Sequence, residues 1–122
     1  MTVVLDASAL LAFLQGEDGA PVVEERLVDG AVCGAANWSE VAQKVLAADR
    51  DWDLARALLV SYGLGVEAVT ATDGEWAARR WRRGEGLSLA DRLCLALAER
   101  GGLEAWTADT AWGTEANIRH IR

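Results

Sequence analysis

The chain has 122 residues and carries 19 Asp and Glu side chains against 12 Lys and Arg, so its formal net charge at pH 7 is −7. This length suits one domain with a substantial core, and 52% hydrophobic with 25% charged residues excludes a disordered tail. An acidic total repels polyanions, so composition alone argues against a nucleic-acid partner.

The lengths of the apolar runs and the positions of the cysteines exclude a membrane-spanning segment and a disulfide framework. The longest apolar run, Ala9 to Leu14, is far too short to cross a membrane. Cys33 and Cys94 lie in apolar surroundings and form no C-x-x-C pair. We therefore expect a cytoplasmic protein with buried, reduced thiols.

The first half of the chain alternates short apolar runs with amphipathic segments. The β-branched run 2–5 predicts a strand buried on both faces, and after Asp6 residues 7–14 predict a helix. Residues 19–29 predict a second helix with Pro21 in its first turn. The following segments predict a strand and then two helices, over 31–36, 38–48 and 52–62.

The second half continues the alternation. A strand is predicted over 66–69, and helices over 73–83 and 88–100 end at glycines. The remaining segments predict a strand, a turn and a short edge strand, over 104–107, 109–113 and 117–121. This order predicts one α/β domain over residues 1–122, with a mostly parallel sheet of four or five strands and helices on both faces.

Four acidic residues lie where a solvated carboxylate is not expected. Asp6 directly follows the first strand, and Glu40 lies near the start of the helix after the second. Asp91 lies in the most apolar helix, and Asp109 comes two residues after the fourth strand. Strand carboxyl ends and the helix starts beyond them meet at one edge of a parallel sheet. We therefore expect the four carboxylates to converge there.

Each of these acids also has a purely structural explanation. Asn37 to Glu40 and Ser88 to Asp91 both match a capping box, and Asp6 and Asp109 match plain N-caps. Carboxylates converging in a partly dry cleft, however, repel one another unless a cation neutralises them. An all-oxygen cluster favours Mg²⁺ or Mn²⁺ over zinc, so the sequence predicts a metal site that can coexist with capping.

Other kinds of catalytic site lack the necessary residues. His120 is the single histidine and Lys44 the single lysine, and neither a phosphate-binding nor a dinucleotide-binding glycine motif occurs. Metal ions held by carboxylates activate water and stabilise charge on a phosphoryl group. These observations predict hydrolysis of a phosphodiester bond.

The segments that carry the four acids resemble a known family. They are VVLDASALLAFL at 3–14, NWSEV at 37–41, SLADRLCLALA at 88–98 and TADTAW at 107–112. In this order and spacing they resemble PIN domains, most closely the VapC-type toxins of bacterial toxin–antitoxin pairs, over essentially the whole chain. The resemblance implies a Mg²⁺- or Mn²⁺-dependent ribonuclease that cleaves structured RNA such as transfer or ribosomal RNA. It further implies in-line attack of a metal-activated water, leaving a 5′-phosphate and a 3′-hydroxyl.

The resemblance also assigns roles to individual residues. Asp6 and Asp91 match the positions tied most directly to the metal, and Glu40 and Asp109 match those that complete its shell, directly or through water. Ser8 and Thr107 match positions at which the family carries a hydroxyl near the site, and the resemblance gives them a supporting role at most.

The partners implied by the resemblance are a second copy of the chain and a VapB-like antitoxin. The C-terminal segment of such an antitoxin covers the site and often inserts a basic side chain among the acids. The predicted helices 38–48 and 52–62, with Trp38 and Trp52, are candidates for either contact. Core packing explains them equally well.

A dense basic run lies at the end of the helix predicted over 73–83. There are two explanations for this run. Its positive charges either stabilise the negative end of the helix dipole while they remain solvated, or they contact RNA phosphates beside the acidic cleft. Trp112 is predicted to pack beneath the site rather than stack on a base, and the other five tryptophans are predicted to be core or interface residues. The basic run consists of Arg79, Arg80, Arg82 and Arg83.

Three alternatives remain open at this point. A phosphate-accepting receiver domain shares the α/β layout, but it needs an acidic pair near the first strand, and Asp6 stands alone. A non-catalytic interaction module would use its acids only as caps and would bind no Mn²⁺. A DNA-directed nuclease would carry the same acids.

Overall fold

The computed structural model describes residues 1–115 and 117–122. Its five strands form one sheet in the order β3-β2-β1-β4-β5, and every neighbouring pair is parallel. The strands are β1 Val3–Leu5, β2 Ala31–Gly34, β3 Gly65–Glu67, β4 Ala105–Thr107 and β5 Ile118–His120. The helices are α1 Ala7–Gln15, α2 Ala20–Asp29, α3 Ala35–Ala47, α4 Trp52–Ser61, α5 Ala71–Arg80 and α6 Leu89–Gly101. A 3₁₀ turn covers Thr110–Trp112.

The sheet is covered on both faces, as predicted. Successive side chains of a strand point to opposite faces, and Val3 and Leu5 belong to one buried cluster while Val4 belongs to another. The first cluster includes Leu10 of α1, and the second includes Cys94 of α6. No helix within the described ranges is long and apolar enough to span a membrane.

Two predicted boundaries near the second strand are wrong. The strand ends at Gly34 instead of Ala36, and α3 begins at Ala35 instead of Trp38. Alanine has the highest helix propensity of all residues, so the pair after Gly34 starts the helix rather than extending the strand. Asn37 therefore lies inside the first turn, and the predicted capping box from Asn37 to Glu40 does not form.

The predicted helix over 73–83 is also displaced. Its N-cap is Thr70, whose hydroxyl accepts a hydrogen bond from the Asp73 amide, while the Asp73 carboxylate accepts one from the Thr70 amide. The helix ends at Arg80 because Trp81 has an extended backbone (φ −60°, ψ 133°). The basic run is thus divided between a helix end and the loop that follows it.

This topology brings four chain segments to one edge of the sheet. Asp6 directly follows β1, and α3, which carries Glu40, directly follows β2. Asp109 follows β4, and α6 precedes β4, so its N-terminal end lies at the same edge as the strand carboxyl ends.

Candidate active site

The four predicted acids line one cavity. Asp6, Glu40, Asp91 and Asp109 all border a space of about 230 Å³ at the carboxyl edge of the sheet, which we call the acid cavity. The predicted convergence of the four carboxylates is therefore confirmed. Its remaining lining residues are Ala7, Ser8, Leu11, Lys44 and Ser88, among which Lys44 is the one basic residue.

Asp6 is the most buried of the four and is held from several sides. One oxygen accepts hydrogen bonds from the Ala9 amide at 2.8 Å and from the Ser8 hydroxyl at 2.8 Å. The other accepts from the Thr107 hydroxyl at 2.6 Å. The predicted N-cap role of Asp6 is confirmed, and the same contacts fix the orientation of its carboxylate.

Burial makes the ionised form of Asp6 costly. With 2% of its surface exposed, loss of hydration raises its pKa from 3.8 to about 6. The hydrogen bonds from Thr107, Ala9 and Ser8 lower this pKa, and the neighbouring charge of Asp91 raises it. A buried carboxylate with an acidic neighbour is an environment that a bound cation stabilises.

Asp91 and Asp109 are both caps. Ser88 and Asp91 form the predicted capping box of α6, with the Ser88 amide donating to Asp91 Oδ2 at 3.0 Å. Asp109 caps the 3₁₀ turn by accepting from the Ala111 amide at 2.9 Å. In each case the second carboxylate oxygen has no partner among the described residues, so capping leaves one oxygen of each acid for another ligand.

Asn37 orients the Glu40 side chain, although the sequence analysis named Asn37 only as part of a capping box. The buried Asn37 side chain donates from Nδ2 to Glu40 Oε1 at 3.2 Å and to the Ala90 carbonyl at 3.4 Å. Asn37 thus connects Glu40 on α3 to the first turn of α6, directly before Asp91. Loss of hydration and the charge of Asp91 raise the pKa of Glu40, while Asn37 and Lys44 lower it.

The donor set is chemically suited to Mg²⁺ or Mn²⁺. All four ligand candidates offer oxygen, and neither Cys nor His lines the acid cavity. Within residues 1–115 and 117–122, no three His, Cys, Asp or Glu side chains are grouped tightly enough to hold a metal ion as they stand. Mg²⁺ usually keeps several waters and takes only one or two carboxylates together with substrate phosphates, so a tight cage is not required.

An apolar groove lies beside the acid cavity. It has a volume of about 400 Å³ and runs between the end of α1, α3 and α4. Leu54 and Leu58 lie one turn apart on α4 and line it, and both are exposed, Leu54 at 68%. Lys44 borders both the groove and the acid cavity. The groove is lined by Leu14, Gln15, Lys44, Val45, Ala48, Arg50, Asp51, Leu54, Ala55 and Leu58.

The two tryptophans considered for a partner contact pack against the core and stay partly exposed. Trp38 and Trp52 meet edge to face, with 5.0 Å between ring centroids, and both pack against the first buried cluster. Trp112 is 2% exposed in the second cluster, which confirms its predicted place in the core. Cys33 and Cys94 are buried and unpaired, as predicted.

The basic run is not uniform. Arg80 is buried, and its guanidinium binds Glu85 at 2.7 Å and Glu115 at 3.0 Å. It is therefore not available to an RNA phosphate, and this part of the prediction is wrong. Arg79, Arg82 and Arg83 are exposed.

Comparisons with known proteins agree with this architecture. The profile of the PIN domain matches residues 3–114. Ribonuclease VapC42 of Mycobacterium tuberculosis H37Rv is 35% identical over 81% of this chain and 84% of its own length, and VapC ribonuclease Mb2780c of Mycobacterium bovis matches equally well. Among solved structures, a toxin–antitoxin complex from Klebsiella pneumoniae superposes with a TM-score of 0.79 at 18% identity, covering 98% of both chains. VapC20 of Mycobacterium tuberculosis, described as a sarcin–ricin loop cleaving toxin, superposes with a TM-score of 0.69 at 20% identity, covering 88% of this chain and 89% of its own.

Proposed function

The chain belongs to the PIN-domain family and within it to the VapC-type ribonucleases, and from this premise we propose that it is a metal-dependent endoribonuclease and the toxin of a toxin–antitoxin pair. The observation that carries the proposal is the acid cavity, where four distant segments deliver four carboxylates around the buried Asp6.

Each side chain of the acid cavity has a task in this proposal. Asp6 and Asp91 hold the metal most directly, and Glu40 and Asp109 complete its shell, directly or through water. Ser8 and Thr107 hold the Asp6 carboxylate in place and favour its ionised form through their hydroxyl donors.

A bound Mg²⁺ or Mn²⁺ would supply an activated water and stabilise charge on the phosphoryl group. The chain itself binds the RNA so that the scissile phosphate lies at the acid cavity, and it excludes bulk water from Asp6. The products are expected to carry a 5′-phosphate and a 3′-hydroxyl.

Titration with Mn²⁺ tests whether the acids do more than cap helices. We expect saturable heat in isothermal titration at pH 7, and weaker binding as the pH falls below about 6, because protons compete for Asp6. Asp53→Asn, on the exposed first turn of α4, is the matched control and should bind Mn²⁺ like the unmodified protein. Absence of saturable heat from the unmodified protein would favour a non-catalytic module.

We further propose that a VapB-like antitoxin occupies the apolar groove. An amphipathic helix places apolar side chains at intervals of three or four residues, which matches the spacing of Leu54 and Leu58 along α4. Since Lys44 borders both spaces, they are adjacent, and a side chain extending from the end of a segment in the groove can approach the acid cavity, where four carboxylates favour a basic group. Two structural neighbours come from toxin–antitoxin assemblies, one of them VapBC2 of Rickettsia felis.

The variant Leu54→Glu tests this contact. A charge in the apolar groove should weaken neutralisation by the antitoxin at least about tenfold, because a buried unpaired carboxylate is costly, while RNA cleavage by the free protein stays unchanged. Val28→Glu is the control, since Val28 is 74% exposed on α2 and does not line the groove. If dimerisation were lost and neutralisation kept, the groove would be the contact between two copies.

The substrate is proposed to be structured RNA of the transfer or ribosomal class, cut in the cytoplasm by a homodimer. Mapping of cleavage ends in total RNA, with and without a chelator, identifies the RNA and tests the metal requirement together. Single-stranded and duplex DNA in the same assay would expose a DNA-directed enzyme.

A further inference from the structure

An exposed tryptophan follows the last residue of α5. Trp81 is 52% exposed, although tryptophan is normally largely buried in a folded domain. The Arg83 guanidinium lies over its ring, 5.5 Å from the ring centroid. The sequence analysis assigned this residue to the core or an interface, and its exposure beside a basic run excludes the core and leaves a contact with a binding partner.

The loop that carries Trp81 is held in place at its base. The buried Arg80 binds Glu85 and Glu115 through two different nitrogens, and Arg82 also approaches Glu115, at 3.3 Å. These ion pairs join the loop to the chain beyond Asp109. The indole is therefore presented on a fixed support, which lowers the entropic cost of binding to it.

The packing of α5 on α6 shows where this support lies. Arg100 at the end of α6 binds Asp73 at the start of α5, and Arg92 donates to the Ala77 carbonyl at 2.7 Å. The two helices are therefore antiparallel, and Trp81 lies at the end of the pair where α6 begins. Ser88, seven residues after Trp81, lines the acid cavity, so the chain itself limits their separation to roughly 25 Å.

We propose that Trp81 is a stacking platform for an unpaired base of the RNA strand that runs into the acid cavity. Arg83 covers part of the indole, and the exposed remainder stacks on a base, while Arg83 is also placed to contact a neighbouring phosphate. An upper limit of roughly 25 Å corresponds to at most about seven nucleotides at the spacing of a stacked strand. The inference rests on the proposed ribonuclease activity, and it adds a site that selects an unpaired segment of the structured RNA next to the cleavage point.

The test uses fluorescently labelled single-stranded RNA of about ten nucleotides, with binding measured by anisotropy in the presence of a chelator. We expect Trp81→Ala to weaken binding about 5- to 150-fold, the range for loss of one base stack. Trp81→Phe should retain most of the affinity because it keeps an aromatic face, and Trp81→Leu should behave like the alanine variant. Arg83→Gln should reduce the slope of log affinity against log salt by about one.

Cleavage kinetics separate this inference from the proposed function. In the presence of Mn²⁺, Trp81→Ala should raise KM and leave kcat unchanged, with only a small change in melting temperature because about half of the residue is exposed. Equal RNA affinity of Trp81→Ala and the unmodified protein would overturn the platform even if both cleave RNA. Loss of an oligomer in sedimentation velocity, with RNA affinity unchanged, would also overturn it and identify a protein contact. Failure of the unmodified protein to cleave any RNA would count against the activity, while the chelator experiment still decides the platform.

Discussion

Asp6→Asn is expected to abolish RNA cleavage and to remove the contribution of Asp6 to the pH dependence of stability between pH 4 and 7. The amide lacks the charge that binds the metal, whose contribution to the transition state is several kcal/mol, so the rate should fall at least about a thousandfold. Asparagine remains a good N-cap, and the fold should persist.

The direction of the stability effect follows from the raised pKa of Asp6. Burial raises this pKa from 3.8 to about 6, so the folded protein holds the proton more tightly than the unfolded chain does. This contribution to the free energy of unfolding is fully present below pH 3.8 and is lost as the pH rises through about 6. The loss amounts to roughly 3 kcal/mol. The asparagine side chain does not titrate, so the variant shows no such loss as the pH rises. The free energy of unfolding of Asp6→Asn, relative to that of the unmodified protein, should therefore increase from pH 4 to pH 7.

Denaturant unfolding of the metal-free proteins at pH 4 and 7 measures this difference directly. Addition of Mn²⁺ should raise the melting temperature of the unmodified protein and leave that of Asp6→Asn unchanged. Asp53→Asn, an exposed substitution of the same chemistry, should behave like the unmodified protein in every assay. Full cleavage by Asp6→Asn would contradict the proposed site.

Thr107→Val is expected to lower cleavage at pH 7 by about 10- to 100-fold, the range for loss of a group that orients a metal ligand. The buried Thr107 hydroxyl donates to Asp6 at 2.6 Å and accepts from the Asp109 amide at 3.0 Å, so it joins two of the proposed metal ligands. Valine has nearly the same shape but makes neither hydrogen bond. Since the bond from Thr107 lowers the pKa of Asp6, its loss should raise that pKa further.

The pH profile of cleavage distinguishes this role from a general loss of stability. The rising limb of the profile should move to higher pH in Thr107→Val, and part of the activity should return at pH 8 to 9. Thr107→Ser keeps the hydroxyl and should restore both the rate and the profile. An unchanged profile with a lower melting temperature would mean that Thr107 serves the fold alone.

The sequence predicted those parts of the site that are formed by residues close to one another along the chain. The buried run before Asp6 and the capping box at Ser88 and Asp91 are determined by neighbouring residues, and both appear where the sequence indicated. The convergence of the acids followed from a general property of parallel sheets. The roles of Ser8 and Thr107 came from family resemblance, and the structure adds their hydrogen bonds to Asp6.

The errors arose where partners are distant in the sequence or where propensities compete. The neighbouring Glu85 alone does not distinguish Arg80 from the other arginines of the run, and its second partner, Glu115, is 35 residues away. The hydrogen bond from Asn37 to the Ala90 carbonyl spans 53 residues and is equally hidden. At Ala35, apolar character favoured a longer strand, whereas the helix propensity of alanine decided the outcome.

The position of Lys44 between the apolar groove and the acid cavity has a consequence for control. If an antitoxin helix occupies the groove as proposed, a basic side chain tethered to it would meet the acid cavity at an effective concentration in the millimolar range. Antitoxin and substrate would then exclude each other by occupancy alone, and the fold would need no separate inactive conformation. The activity in a cell would follow the fraction of toxin left without antitoxin, so that the relative lifetimes of the two proteins set the rate of RNA cleavage.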